Sequence, residues 1–110
     1  MTSPTRITVY PRRRKAAAGT LNVTRIGRYG NPFLVDEHGQ DKAVRLHAAW
    51  LVGAGPDSYP NGKRKFHLSR SWVLANLAPV ATAPYVGCTC DPDEPCHADT
   101  LIRLATREVA

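Results

Sequence analysis

Between Gly87 and Asp99 the chain runs Gly-Cys-Thr-Cys-Asp-Pro-Asp-Glu-Pro-Cys-His-Ala-Asp, which gathers all three of its cysteines beside a histidine. This stretch is the candidate functional centre, and three chemistries suit it. Cys88, Cys90, Cys96 and His97 offer three thiols and one imidazole, an acceptable zinc set. The spacing departs from the usual finger, which pairs Cys-x2-4-Cys with a second, distant pair. Adjacent helical residues diverge by about 100 degrees, so Cys96 and His97 share an ion only if the helix begins after them. A second possibility is a reactive or ligand-binding thiol. Cysteine in the first turn of a helix meets unpaired amides and the positive end of the dipole, which lower its pKa and attract anions. His97 then acts as base or phosphate donor and Asp99 orients it, because nucleophilic chemistry needs a partner within hydrogen-bond reach. Asp91, Asp93 and Glu94 work against the thiolate. The third use is packing, since a free cysteine behaves as a small apolar residue. Packing is preferred for Cys88 and Cys90, and function for Cys96 and His97. No cofactor is therefore expected, with zinc on Cys88, Cys90, Cys96 and His97 as the alternative.

A second constellation is Arg25-Ile-Gly-Arg28-Tyr-Gly-Asn-Pro-Phe33. Two arginines on a glycine-containing loop grip a phosphate or carboxylate bidentately, and glycines let backbone amides approach the ligand. Arg25, Arg28, Gly30 and Asn31 are the candidate phosphate-binding residues. The loop lacks the Gly-Lys-Ser/Thr ending of a Walker motif and does not fit Gly-x-Gly-x-x-Gly. A tight structural turn explains Gly27, Gly30 and Pro32 equally well.

The 110 residues suffice for one domain, and the formal charge is +6. Seven Lys or Arg and no acid lie in residues 1–35, and Lys63, Arg64 and Lys65 form a second basic cluster. Residues 71–110 carry five acids against two bases, so a polyanion surface would belong to the other end of the chain. An odd cysteine count within nine residues argues against a disulfide framework. Neither a secretory signal nor a membrane span is legible, so a cytoplasmic protein is expected.

The elements that must position these residues follow from periodicity. Strands are expected over residues 6–10, 20–25 and 84–90, with Cys88 and Cys90 on one face of the last. A helix capped by Asp41 runs to about Val52, and a short one follows Ser69 or Ser71. Residues 55–66 read as a long surface loop, and Pro79 to Pro84 as a linker. The last helix starts near Pro95, buries Ala98, Leu101, Ile102, Ala105 and Val109, and pairs Asp99 with Arg103 outside. The sum is one α/β domain over residues 1–110, a small mixed sheet packed by about three helices, with residues 1–4 and 55–66 mobile.

The two constellations together resemble the uncharacterised phage and microbial family known as domain of unknown function 4326. The resemblance lies in an opening strand, Gly19-Thr20, the Arg25 to Phe33 loop, Trp50 near a helix end, Gly87 to Cys90, and Pro95 to Leu101. Thr89 stands where the family has an aromatic, and Asn76 to Pro84 replaces its Leu-Arg-Gly-Lys. The resemblance implies a compact α/β domain of phage type, in the host cytoplasm if phage-encoded, and brings no activity with it. The expected function is binding of a phosphate-bearing ligand, a nucleotide or nucleic acid. Arg25 and Arg28 would hold the anion opposite Cys96, His97 and Asp99, the last three being the catalytic residues of any reaction. The competing expectation is a metal-stabilised or metal-free module without catalysis, such as one that docks on a host protein, with zinc on the Cys/His cluster in the metal-stabilised version. Basic runs at Arg12 to Lys15 and Lys63 to Lys65 add the expectation of salt-sensitive DNA binding.

Overall fold

The structure is a computed structural model that describes residues 4–9, 18–24, 27–60, 66–90 and 93–109. Its strands are β1 (Thr5–Thr8), β2 (Thr20–Asn22), β3 (Ser58–Pro60), β4 (His67–Ser69) and β5 (Tyr85–Cys88). Its helices are α1 (Val35–His38), α2 (Gln40–Leu51), α3 (Arg70–Ala75), α4 (Leu77–Thr82) and α5 (His97–Val109). The expected α/β class holds. In place of one mixed sheet there is a wholly parallel three-stranded sheet, ordered β1-β5-β2, and a separate antiparallel pair, β3-β4. The last strand in sequence is thus central, with Thr8 opposite Cys88 on one side and Asn22 opposite Gly87 on the other.

Gly87 is required by this crowding. A Cβ there would stand 2.7 Å from Val9 Cγ1 and 3.0 Å from Thr20 Cγ2, closer than packed atoms approach. Behind the sheet, α2 buries Ala43, His47, Trp50 and Leu51, and α5 buries Ala98, Leu101 and Ala105. Trp50 donates its indole N–H to the Pro56 carbonyl at 2.8 Å, satisfying a buried polar group. Among the described residues no helix is long and apolar enough to cross a membrane.

Several boundaries differ from those the sequence suggests. The helix expected from Asp41 is α2, which begins at Gln40 after Gly39 (φ +81°), and Asp41 lies in its first turn, paired with Arg45 at 3.1 Å rather than capping. Ser69 caps α3, accepting from the Trp72 amide at 3.2 Å. The supposed linker is largely α4: Pro79 is the third residue of that helix, where a missing N–H costs nothing, and Leu77 and Val80 are buried. Part of the supposed 55–66 loop is β3, whose Tyr59 stands opposite Leu68. Tyr10 and Arg25, at the ends of the expected strands, lie outside the described residues.

Replacing Gly87 with Ala overpacks the sheet and is expected to lower stability by about 1–3 kcal/mol. Urea denaturation followed by tryptophan fluorescence measures this, and an unchanged midpoint contradicts the packing described.

Candidate metal centre

Cys88 closes β5, and the chain bends after it, with the Thr8 hydroxyl donating to the Cys90 carbonyl at 2.7 Å. Alternation along the extended chain sends Cys88 and Cys90 the same way. Cys96 immediately precedes α5, and its carbonyl accepts from the Asp99 amide at 3.1 Å, as an N-cap carbonyl does. The sulfurs of Cys88, Cys90 and Cys96 consequently lie within 4.8 Å of one another. A tetrahedral zinc with Zn–S bonds of about 2.3 Å places sulfurs about 3.8 Å apart, so a small inward adjustment closes this set on one ion. Three thiols this close can hold a metal.

The surroundings are arranged for negative sulfur. Arg6, from β1, lies 3.4 Å from the Asp99 carboxylate and donates to the Glu94 carbonyl at 3.0 Å. Partial burial works against its charge, but a hydrogen bond to Cys96 and the nearby Asp99 raise its pKa above the ordinary value. Gln40 donates to Cys90 Sγ at 3.4 Å and to the Pro95 carbonyl. Hydrogen bonds from the Cys88 and Cys96 thiols hold Cys90 far below the usual thiol range, as does Gln40. The same contacts push Cys88 and Cys96 upward, with burial adding to the effect. Of the three thiols Cys90 is thus the one whose ionised form its neighbours favour. A bound dication would deprotonate the others as well.

His97 stands beside this cluster but outside the three-sulfur set. Its Nε2 donates to the Val23 carbonyl, because a carbonyl can only accept. Its Nδ1 makes a hydrogen bond with Cys96 Sγ at 3.8 Å. His47 meets the His97 ring edge-on, with centroids 5.4 Å apart. Both ring nitrogens of His47 are buried without a hydrogen-bond partner among the described residues. Burial, with a smaller contribution from His97, pushes its pKa down to about 3, so it is neutral.

A cavity of about 270 Å³ opens beside Cys90. Its polar lining comprises Asn31, Asp36, Gln40, Thr89, Cys90, Glu94 and His97, with no Lys or Arg among the described residues that line it.

The profile of the family described as Domain of unknown function (DUF4326) matches residues 9–107. The chain belongs to that family. No curated protein and no solved structure gives a significant match.

This DUF4326 domain brings together some of the residues singled out in its sequence and separates others. Cys88 and Cys90, expected as packing, join Cys96. The helix starts at His97, so the divergence that counted against a shared ion does not apply to Cys96. Asp99 pairs with Arg6, not with His97 or Arg103. Arg25 lies outside the described residues. Arg28 is exposed, with its guanidinium 4.9 Å from the Phe66 ring centroid and 5.6 Å from that of Trp72, and it does not line the cavity. Gly30 donates to the Gly27 carbonyl at 3.0 Å. Asn31 is committed to the backbone, donating to Ala43 and accepting from Phe33. Arg6 and Gln40 carried no signal in the sequence. Each becomes visible only once β1 is known to flank β5 and α2 to abut the Cys90 turn.

Because Cys90 is the half-buried one of the three and its neighbours pull its pKa down, iodoacetamide should modify it first in metal-free protein. Its rate should change little between about pH 6 and pH 8, where an ordinary thiol accelerates nearly tenfold per unit. Peptide mapping by mass spectrometry reads both, and equal labelling of all three cysteines contradicts the arrangement.

Proposed function

We propose that this domain binds zinc through Cys88, Cys90 and Cys96 and works as a metal-stapled binding module. The observation that carries this reading is the convergence of three sulfurs from a strand end, a turn and a helix cap. Thiolate donors at tetrahedral spacing select zinc over hard cations. Arg6 and Gln40 supply the outer hydrogen bonds that orient metal ligands. The metal joins β5 to α5, so it contributes to folding as well as to the site.

Native mass spectrometry of purified protein should find one zinc per chain, absent from Cys96→Ser. Arg6→Ala should weaken zinc binding about 10–100-fold, as loss of an outer-shell partner does. Chelation should lower the melting temperature, since a ligand at 100 times its dissociation constant contributes about 2.7 kcal/mol. A chain that retains no zinc and melts identically with and without chelator removes the proposal.

A second reading keeps the phosphate-bearing partner but moves it to Arg28. That exposed guanidinium lies across two aromatic rings, an arrangement that suits a phosphate beside a stacked base. Phe66 directly follows the basic run Lys63 to Lys65 in sequence. Binding of a fluorescent single-stranded oligonucleotide should fall steeply with salt and weaken in Arg28→Ala. Salt-insensitive binding, or equal binding by the variant, excludes it.

A further inference from the structure

Building on the zinc reading, we infer that the three sulfurs are also an oxidation site, where a small hydroperoxide joins Cys90 to Cys96 as a disulfide and so releases the metal. All three cysteines are free thiols, and their sulfurs lie within 4.8 Å of one another. Closing an S–S bond of about 2.05 Å therefore asks each sulfur of a pair to move by about 1.4 Å at most. Access decides which sulfur reacts first. Cys88 and Cys96 are each 1% exposed, whereas Cys90 is half-buried and lines the cavity. An oxidant arriving from solvent meets Cys90.

The reaction needs only two side chains and the oxidant. The Cys90 sulfur attacks the terminal hydroperoxide oxygen, the O–O bond breaks, and the alcohol leaves with the thiol proton, so Cys90 becomes a sulfenic acid. Cys96 then attacks the Cys90 sulfur, the S–O bond breaks, and hydroxide leaves with the Cys96 proton as water. Two thiols thus give up two electrons and two protons to the hydroperoxide. With both sulfurs ionised on the metal, the same two protons come from water. Cys96 is the partner because Cys88 is held back on two counts. Two residues of extended chain span about 6.6 Å, the upper limit of Cα separation for a disulfide. The Cys88 thiol also donates to the Ile7 carbonyl at 3.8 Å. Cys96 instead stands across the turn, where α5 begins. A disulfide sulfur is no longer the thiolate that binds metal, so the bridge leaves Cys88 as the one intact thiolate of the three. The turn stays tied to the start of α5 while the ion is lost.

Zinc-loaded protein treated with hydrogen peroxide should release its one zinc per chain to a chromogenic indicator, and the dithiol reductant dithiothreitol should restore binding. Digestion at aspartate cuts between Cys90 and Cys96. Mass spectrometry after iodoacetamide should then find the two halves linked through Cys90 and Cys96, with Cys88 alkylated. Cys96→Ser should stop at the Cys90 sulfenic acid, which dimedone traps, and Cys88→Ser should still form the bridge. Zinc retained with three alkylated cysteines, a bridge through Cys88, or irreversible oxidation without a bridge overturns the proposal and leaves the metal site standing. A chain that takes up no zinc before peroxide overturns the metal reading instead, and its peptide map still decides the bridge.

Discussion

The carboxyl end of β5 is gripped from both sides: the Val9 amide donates to the Cys88 carbonyl at 2.7 Å, and the Val23 amide to the Gly87 carbonyl at 2.9 Å. Those two hydrogen bonds fix where the strand stops and therefore where Cys88 points. The turn that follows begins from a fixed base, with Thr8 pinning the Cys90 carbonyl. Gly87 lets the flanking strands approach closely enough for both bonds to form. On the far side of the turn, His97 returns to the Val23 carbonyl, so the start of α5 is tied to the same β2 extension that holds β5. Strand end, turn and helix start are thus referenced to one frame.

Charge is balanced within that frame. Arg6 is presented by β1 to Cys96, Asp99 and the Glu94 carbonyl. It offsets one negative sulfur in the free protein and would compensate the excess charge of a trithiolate metal complex. His47 meets the ring of His97 edge-on, and burial holds His47 uncharged. Each His47 nitrogen left unbonded among the described residues costs about 1–3 kcal/mol, and the ring packs against Trp50 and His97.

Much of this was legible in the residues. The cysteine strand, the apolar stripe of α5 and the helix carrying Trp50 each have a period that only one element satisfies. The Gly87 to Asp99 stretch was visible as the centre because its residue types are chemically loaded. What could not be read was tertiary. Whether Cys88 and Cys90 face core or partner depends on where Cys96 comes to rest, and that depends on an intervening turn with no periodicity. Asp99 sits four residues from Arg103, so a local pair is the natural expectation, yet Arg6 is brought closer by a contact spanning most of the chain. Helix α4 was obscured because two prolines suggest a linker, although one in the first turn is harmless.

The strand order also has a temporal consequence. β1 and β2 do not pair with each other; both wait for β5, which lies more than sixty residues beyond β2 in the chain. During synthesis the first two strands emerge with no sheet partner, and their edges stay open until the sequence through Cys88 is available. Pairing this remote in sequence is slow and exposes unpaired edges. The cysteines are the next residues out, so the last piece of sheet and the first two sulfurs arrive together. A metal captured at that moment would lock a topology that the chain has only just become long enough to form.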